Sequence, residues 1–72
     1  MRMFVEWKVP QETWSPDGWK GSGKPYALMG EAIYVAETIA KQNTGLIVRV
    51  RDKSQVDRHI NMALFRDGRR VS

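Results

Sequence analysis

Residues 18–25 read Gly-Trp-Lys-Gly-Ser-Gly-Lys-Pro and match the first seven positions of the phosphate-binding loop G-x-x-x-x-G-K-[ST]. In that loop, backbone amides cradle phosphates, the lysine reaches the terminal phosphates and the last hydroxyl binds magnesium. Pro25 occupies the eighth position, so there is no hydroxyl for the metal and no N–H to open the following helix. A chain of 72 residues also lacks the length of the usual nucleotide-binding fold. What survives of the match is an anion contact through Lys20, Lys24 and loop amides, or a plain solvated loop.

Other chemistry has little to stand on. His59 is the single histidine, and its neighbours Asp57 and Arg58 supply no nucleophile, so no triad can be assembled. There is no cysteine, and one histidine with scattered carboxylates lacks the spacing of a zinc site. The sequence therefore assigns no catalytic residue, no metal and no cofactor, and the chain reads as a binding protein rather than an enzyme.

Two groups of residues suit binding. Trp14 and Trp19 lie in a proline- and glycine-rich stretch with no periodic reason for burial, close to Lys20 and Lys24. Tryptophan is enriched at protein–protein hot spots, so these four residues form a candidate partner-binding set; the alternative is that the indoles fold back to seal a small core. The second group is a basic and aromatic sheet face. If residues 3–9 and 46–51 are strands, Phe4, Lys8, Ile47, Arg49 and Arg51 share one side, with Phe65 and Arg66 beside them. Aromatics interleaved with arginines resemble a stacking platform for nucleic acid. The plainer alternative is a mixed solvent-facing sheet, with Phe4 and Phe65 covered by the tryptophan loop.

The elements that would position these groups follow from periodicity. Met3, Val5, Trp7 and Val9 alternate with Phe4, Glu6 and Lys8, which predicts a strand buried on its odd residues and ended by Pro10. Residues 10–27 hold all three prolines together with Gly18, Gly21 and Gly23, which predicts a long loop or an irregular hairpin with a short strand near Trp19 and Lys20. Leu28, Ala32, Val35, Ala36, Ile39 and Ala40 recur on one face of a helix over 30–43. Gly30 serves as its N-cap, Glu31 sits at the positive end of the helix dipole, Glu37 precedes Lys41 by four residues, and Gly45 takes the left-handed position after the C-terminus.

Leu46, Val48 and Val50 then alternate with Ile47, Arg49 and Arg51 as a second strand. Residues 54–66 admit a strand or a helix capped by Ser54; the strand is preferred, with Asp67-Gly68 as a hairpin turn and the tail mobile unless Val71 pairs. The expected fold is a single small α+β domain spanning 1–72. One amphipathic helix packs on a three- to four-stranded, mainly antiparallel sheet, with the long Trp/Gly/Pro loop before the helix. A right-handed crossover through the helix would make the strands at 3–9 and 46–51 parallel neighbours.

Composition bounds the partners. The net charge is +4, and residues 46–72 carry seven Lys/Arg against three Asp/Glu, a surplus equal to the whole. Such asymmetry suits an acidic protein surface or, alternatively, nucleic acid; a second copy of the chain is a further partner that such a domain admits. Glu6 and Lys8 interrupt any apolar run after Arg2, so no signal peptide is legible. No stretch approaches the ~20 apolar residues of a membrane span, and a cysteine-free chain suits the cytoplasm.

Segment 31–52, an alanine-rich helix, a Thr-Gly stop and an alternating basic strand, resembles a recurrent pattern in short bacterial and phage-encoded open reading frames. In size and layout the chain is similar to phage accessory proteins that inhibit host factors, anti-CRISPR proteins among them. That class shares no motif, so the resemblance carries over no residue. It implies a small inhibitor or regulator of a larger complex, such as a nucleoprotein.

Overall fold

The computed structural model describes residues 2–10 and 18–72. Along the chain run β1 (Met3–Lys8), β2 (Lys20–Gly21), α1 (Met29–Gln42), β3 (Ile47–Gln55), β4 (Arg58–Arg66) and β5 (Arg69–Arg70). Among the described residues the sheet has five strands, in the order β2-β1-β3-β4-β5, and every neighbouring pair is antiparallel. The helix covers one face, which makes this the expected α+β domain with a slightly larger sheet. β2 falls where a short strand near Trp19 and Lys20 is expected, and β5 is a further two-residue edge.

β1 and β3 are neighbours, but antiparallel rather than parallel, in a register running from Met3 opposite Asp52 to Lys8 opposite Ile47. The reason lies in the loop. After leaving β1, the chain returns along it: Lys20 pairs with Trp7, Gly21 with Glu6, and Met3 and Tyr26 exchange backbone hydrogen bonds of 2.9 and 2.8 Å. The direction has thus reversed once before α1 reverses it again. β3 therefore runs parallel to β2 and against β1, which lies between them.

The core is a sandwich of strand side chains and helix alanines. Met3 and Val5, Val48 and Val50, and Ala63 and Phe65 face Ala32, Ala36 and Ala40. Val35 and Ile39 pack against this cluster but are only half-buried. The buried stripe is therefore centred on the three alanines, whose small side chains let the helix lie close to the sheet. Val9 is exposed beyond the end of β1. The register also sets which face of β4 is buried. Val48 pairs with Phe65 and Val50 with Ala63, so Phe65 points into the core and Leu64 points away.

The helix ends differ from the glycine-based expectation. The N-cap is exposed Leu28, with no side-chain cap, and Gly30 lies inside the first turn. Gly45 does not take positive φ. Asn43 stops the helix instead, donating to the Ile39 carbonyl from both its backbone N–H (3.0 Å) and its side-chain amide (3.2 Å). Glu37 and Lys41 form the expected surface pair at 2.7 Å.

Residues 58–66 form a strand, and Asp67 (φ 55°) and Gly68 (φ 77°) make its two-residue hairpin turn. Two successive positive φ values are what a type I′ turn requires, and Asp-Gly meets that need. A Cβ on Gly68 would lie 3.2 Å from Thr44 Cγ2, so this glycine also allows the turn to sit against the end of the helix. The tail is held, since Val71 N–H donates to the Leu64 carbonyl at 2.8 Å.

Candidate functional site

The sheet face away from the helix carries the candidate site. Phe4, Glu6 and Lys8 of β1 pair with Arg51, Arg49 and Ile47 of β3, and Arg49 pairs in turn with Leu64 of β4. Trp19, just before β2, folds over this face. Arg49 Cζ lies 3.8 Å from the Trp19 ring centroid, within cation–π range, and Lys8 Nζ approaches the same ring at 5.7 Å. The result is a groove of about 340 Å³ lined by Lys8, Trp19, Ile47, Arg49, Asn61, Leu64 and Arg66. Ile47 and Leu64 provide aliphatic surface, Trp19 a wall and exposed Arg66 a cationic edge, with Lys8 and Arg49 recessed.

Several residues singled out from the sequence meet here. Lys8, Trp19, Arg49 and Arg66 line the groove, and Arg51 borders it opposite Asn61. Lys8 is 4% exposed, because β1, β3 and the indole enclose it. Phe4 stays on this face, half-buried, with Lys53 Nζ 5.2 Å and Arg2 Cζ 5.9 Å from its ring.

Others lie elsewhere. Phe65 is 1% exposed beneath the helix and cannot contact a ligand. Lys20 pairs with Trp7, which places it on the helix side of the sheet edge, and Lys24 is exposed with Nζ 5.4 Å from the Tyr26 ring. The partner set Trp19, Lys20 and Lys24 is thus split between surfaces; Trp14 lies outside the described residues. The phosphate-loop match serves strand pairing. A Cβ on Gly21 would come within 2.9 Å of the Val5 carbonyl, and no helix begins until Met29.

Sequence reasoning missed the role of Glu6. Its carboxylate accepts from Arg49 Nε at 2.8 Å and from Lys53 Nζ at 2.6 Å, with the Glu6 and Arg49 side chains only 13% and 12% exposed. Alternation puts Glu6 on the face, but only the β1–β3 register brings it to these two cations. Burial raises the pKa of the Glu6 carboxyl, yet the hydrogen bonds and charges of Lys53 and Arg49 outweigh burial and hold it below the ordinary 4.5. Burial also draws the Arg49 pKa down, which Glu6 opposes only in part. Arg49 remains charged at neutral pH because its reference value is so high.

The depressed Glu6 value has a consequence for stability. A carboxyl whose folded pKa is lowered stabilises the fold fully above its unfolded value, and that contribution is lost as pH falls through the folded value. The loss should therefore develop below about pH 4.5. Glu6→Gln is expected to cost about 1.5 kcal/mol at pH 7, the low end for hydrogen bonds to charged groups, because Lys53 is partly exposed. Urea melts from pH 7 to pH 3 check this: the gap between wild type and variant should narrow on acidification. A constant gap would show that the carboxylate charge contributes nothing.

Among the described residues the groove has Lys8, Arg49 and Arg66 as the ionisable groups of its lining. Its described lining holds no hydroxyl, thiol, imidazole or carboxylate to act as nucleophile or base. Among the described residues, no group of three or more His, Cys, Asp or Glu is placed to hold a metal ion. No described helix is long and apolar enough to cross a membrane. Comparison of the chain with protein-family models, curated proteins and solved structures found no match.

Proposed function

We propose that the chain is a non-catalytic protein-binding module that holds an acidic surface of a larger partner against the open face of its sheet, as a small inhibitor or regulator does. The observation that carries this reading is the groove. It places aliphatic surface and an indole wall beside the exposed cation Arg66, with no carboxylate in the described lining. A partially apolar pocket with a cationic edge suits an apolar anchor that has acidic groups beside it.

The nucleic-acid alternative has less support. Phe65, one of its two sheet aromatics, is buried beneath the helix, the Trp19 ring has Arg49 against one face, and Glu6 engages both Arg49 and Lys53. A stacking platform needs open rings and cations free to meet phosphate.

Affinity capture from nuclease-treated extract tests the proposal, using the wild-type chain and a Leu64→Glu, Arg66→Glu variant. The expected result is nuclease-resistant capture of a defined protein by the wild type and its loss from the variant. Nuclease-sensitive capture, or a shift of random oligonucleotides at low salt with on the order of tens of micromolar protein, would move the assignment to nucleic acid.

A further inference from the structure

The groove's residues fall in an order that specifies a pattern of ligand groups. On β4, Arg66 and Leu64 are two residues apart on the same face, so their side chains are spaced by roughly 7 Å. Asn61 follows on the far side of a β-bulge, where two residues of β4 replace one on β3, and it faces Arg51. The Arg51 Nε is buried and has no hydrogen-bond partner. Along the strand direction, a cation and then aliphatic surface on β4 are therefore followed by a cation on the neighbouring β3, Arg51. An extended peptide repeats its same-side side chains at the same interval of roughly 7 Å.

We propose that the groove binds an extended peptide segment of the form acidic-x-apolar-x-acidic. The central apolar side chain rests on Leu64 and Ile47 against Trp19, one carboxylate meets Arg66, and the other meets Arg51 beside Asn61. This rests on the open face being a protein-binding surface, and it names the ligand that face takes. The volume of about 340 Å³ lies at the small end of ligand pockets, which suits one anchoring side chain. Charge complementarity selects the flanks: Arg66 is exposed, Arg51 has an unpartnered Nε, and the described lining has no carboxylate. A nucleotide fits less well, because the floor is aliphatic and Asn61 is the single neutral polar side chain in the lining, too few groups to read a base edge.

The test titrates ¹⁵N-labelled protein with acetyl-Glu-Thr-Phe-Thr-Glu-amide and follows the amides of Leu64 and Arg66 and the indole N–H of Trp19. Three peptide controls change one feature each: Ala for Phe, Lys for both Glu, and the scrambled order Glu-Glu-Phe-Thr-Thr. Adenosine monophosphate and oligo(dT) form the nucleic-acid arm. Saturable shifts centred on the groove are expected for the first peptide. Affinity should fall at least about ten-fold for the Ala peptide and for Arg66→Glu protein, as at an interface anchor. The scrambled peptide should be weaker by several-fold, since its carboxylates no longer flank the anchor on one side.

Equal binding of the original and scrambled peptides would overturn the spacing. Stronger binding of oligo(dT) than of any peptide would overturn the peptide ligand. If no peptide binds, yet Leu64→Glu, Arg66→Glu abolishes capture of a protein partner, the peptide pattern is wrong and the face stands. If capture survives that double change, both fail.

Discussion

Phe65→Ala is expected to leave the domain largely unfolded at 25 °C. Phe65 is the largest of the fully buried side chains, sits opposite Val48 on β3 and belongs to the cluster beneath the helix alanines. Truncating a buried phenylalanine costs about 3–5 kcal/mol through lost transfer energy and the cavity left behind. A cysteine-free core of this size supplies roughly 3–5 kcal/mol in total, so the loss is comparable to the whole margin. Phe65→Leu retains most of the volume and should leave a folded chain with a lowered melting temperature. The consequence reaches the groove, because Leu64 and Arg66 flank Phe65 and present the opposite face of the same strand. Thermal melts followed by far-UV circular dichroism give the answer. A wild-type melting temperature for Phe65→Ala would show that this side chain is not in the core.

The location of Phe65 marks the limit of what local pattern reveals here. Residues 3–8 and 47–51 alternate, and their faces could be read directly because buried Met3, Val5, Val48 and Val50 contrast with charged or larger partners between them. That contrast puts Arg49 and Arg51 on the open face. Residues 60–65, Ile-Asn-Met-Ala-Leu-Phe, offer no such contrast, since both faces carry apolar side chains. The decision falls to the β3–β4 register and its bulge, which depend on residues distant in sequence. Leu64 thus became groove surface while the smaller Ala63 went inside.

The contacts of Glu6 and Trp19 are hidden for the same reason. The carboxylate meets Lys53 across 47 residues of chain, and the indole reaches Arg49 only because residues 20–26 fold back along β1. Short-range chemistry fared unevenly. Asp67-Gly68 was legible because two positive φ values have few sequence solutions. The helix ends within a residue of the expected 43, but Gly45 takes no left-handed conformation, and Asn43 instead donates twice to the Ile39 carbonyl.

Ala36→Leu should destabilise the domain more than Val35→Ala, the reverse of what hydrophobicity alone suggests. Ala36 is 0% exposed between Ala32 and Ala40, and all three face the side chains of β1, β3 and β4. Small residues at consecutive turns bring the helix axis close to the sheet, so there is no space for a branched side chain. Inserting one forces strained rotamers or lifts the helix, at a cost of about 1–3 kcal/mol. Val35 lies at the edge of the contact and is half-buried, so its truncation removes a smaller contact and leaves a site open to water. At about 25 cal/mol per Å² of apolar surface, losing two half-shielded methyl groups costs about 1 kcal/mol or less. The helix packs on the sheet face opposite the groove, against the same strands β1, β3 and β4 that carry the groove's side chains. Lifting it at Ala36 should therefore also shift the Trp19 indole resonance, whereas Val35→Ala should leave that resonance in place. Paired urea melts and ¹⁵N spectra of the two variants decide the matter. Equal stabilities, or a larger loss at Val35, would mean that the helix packs through Val35 and Ile39 and that the alanines are incidental.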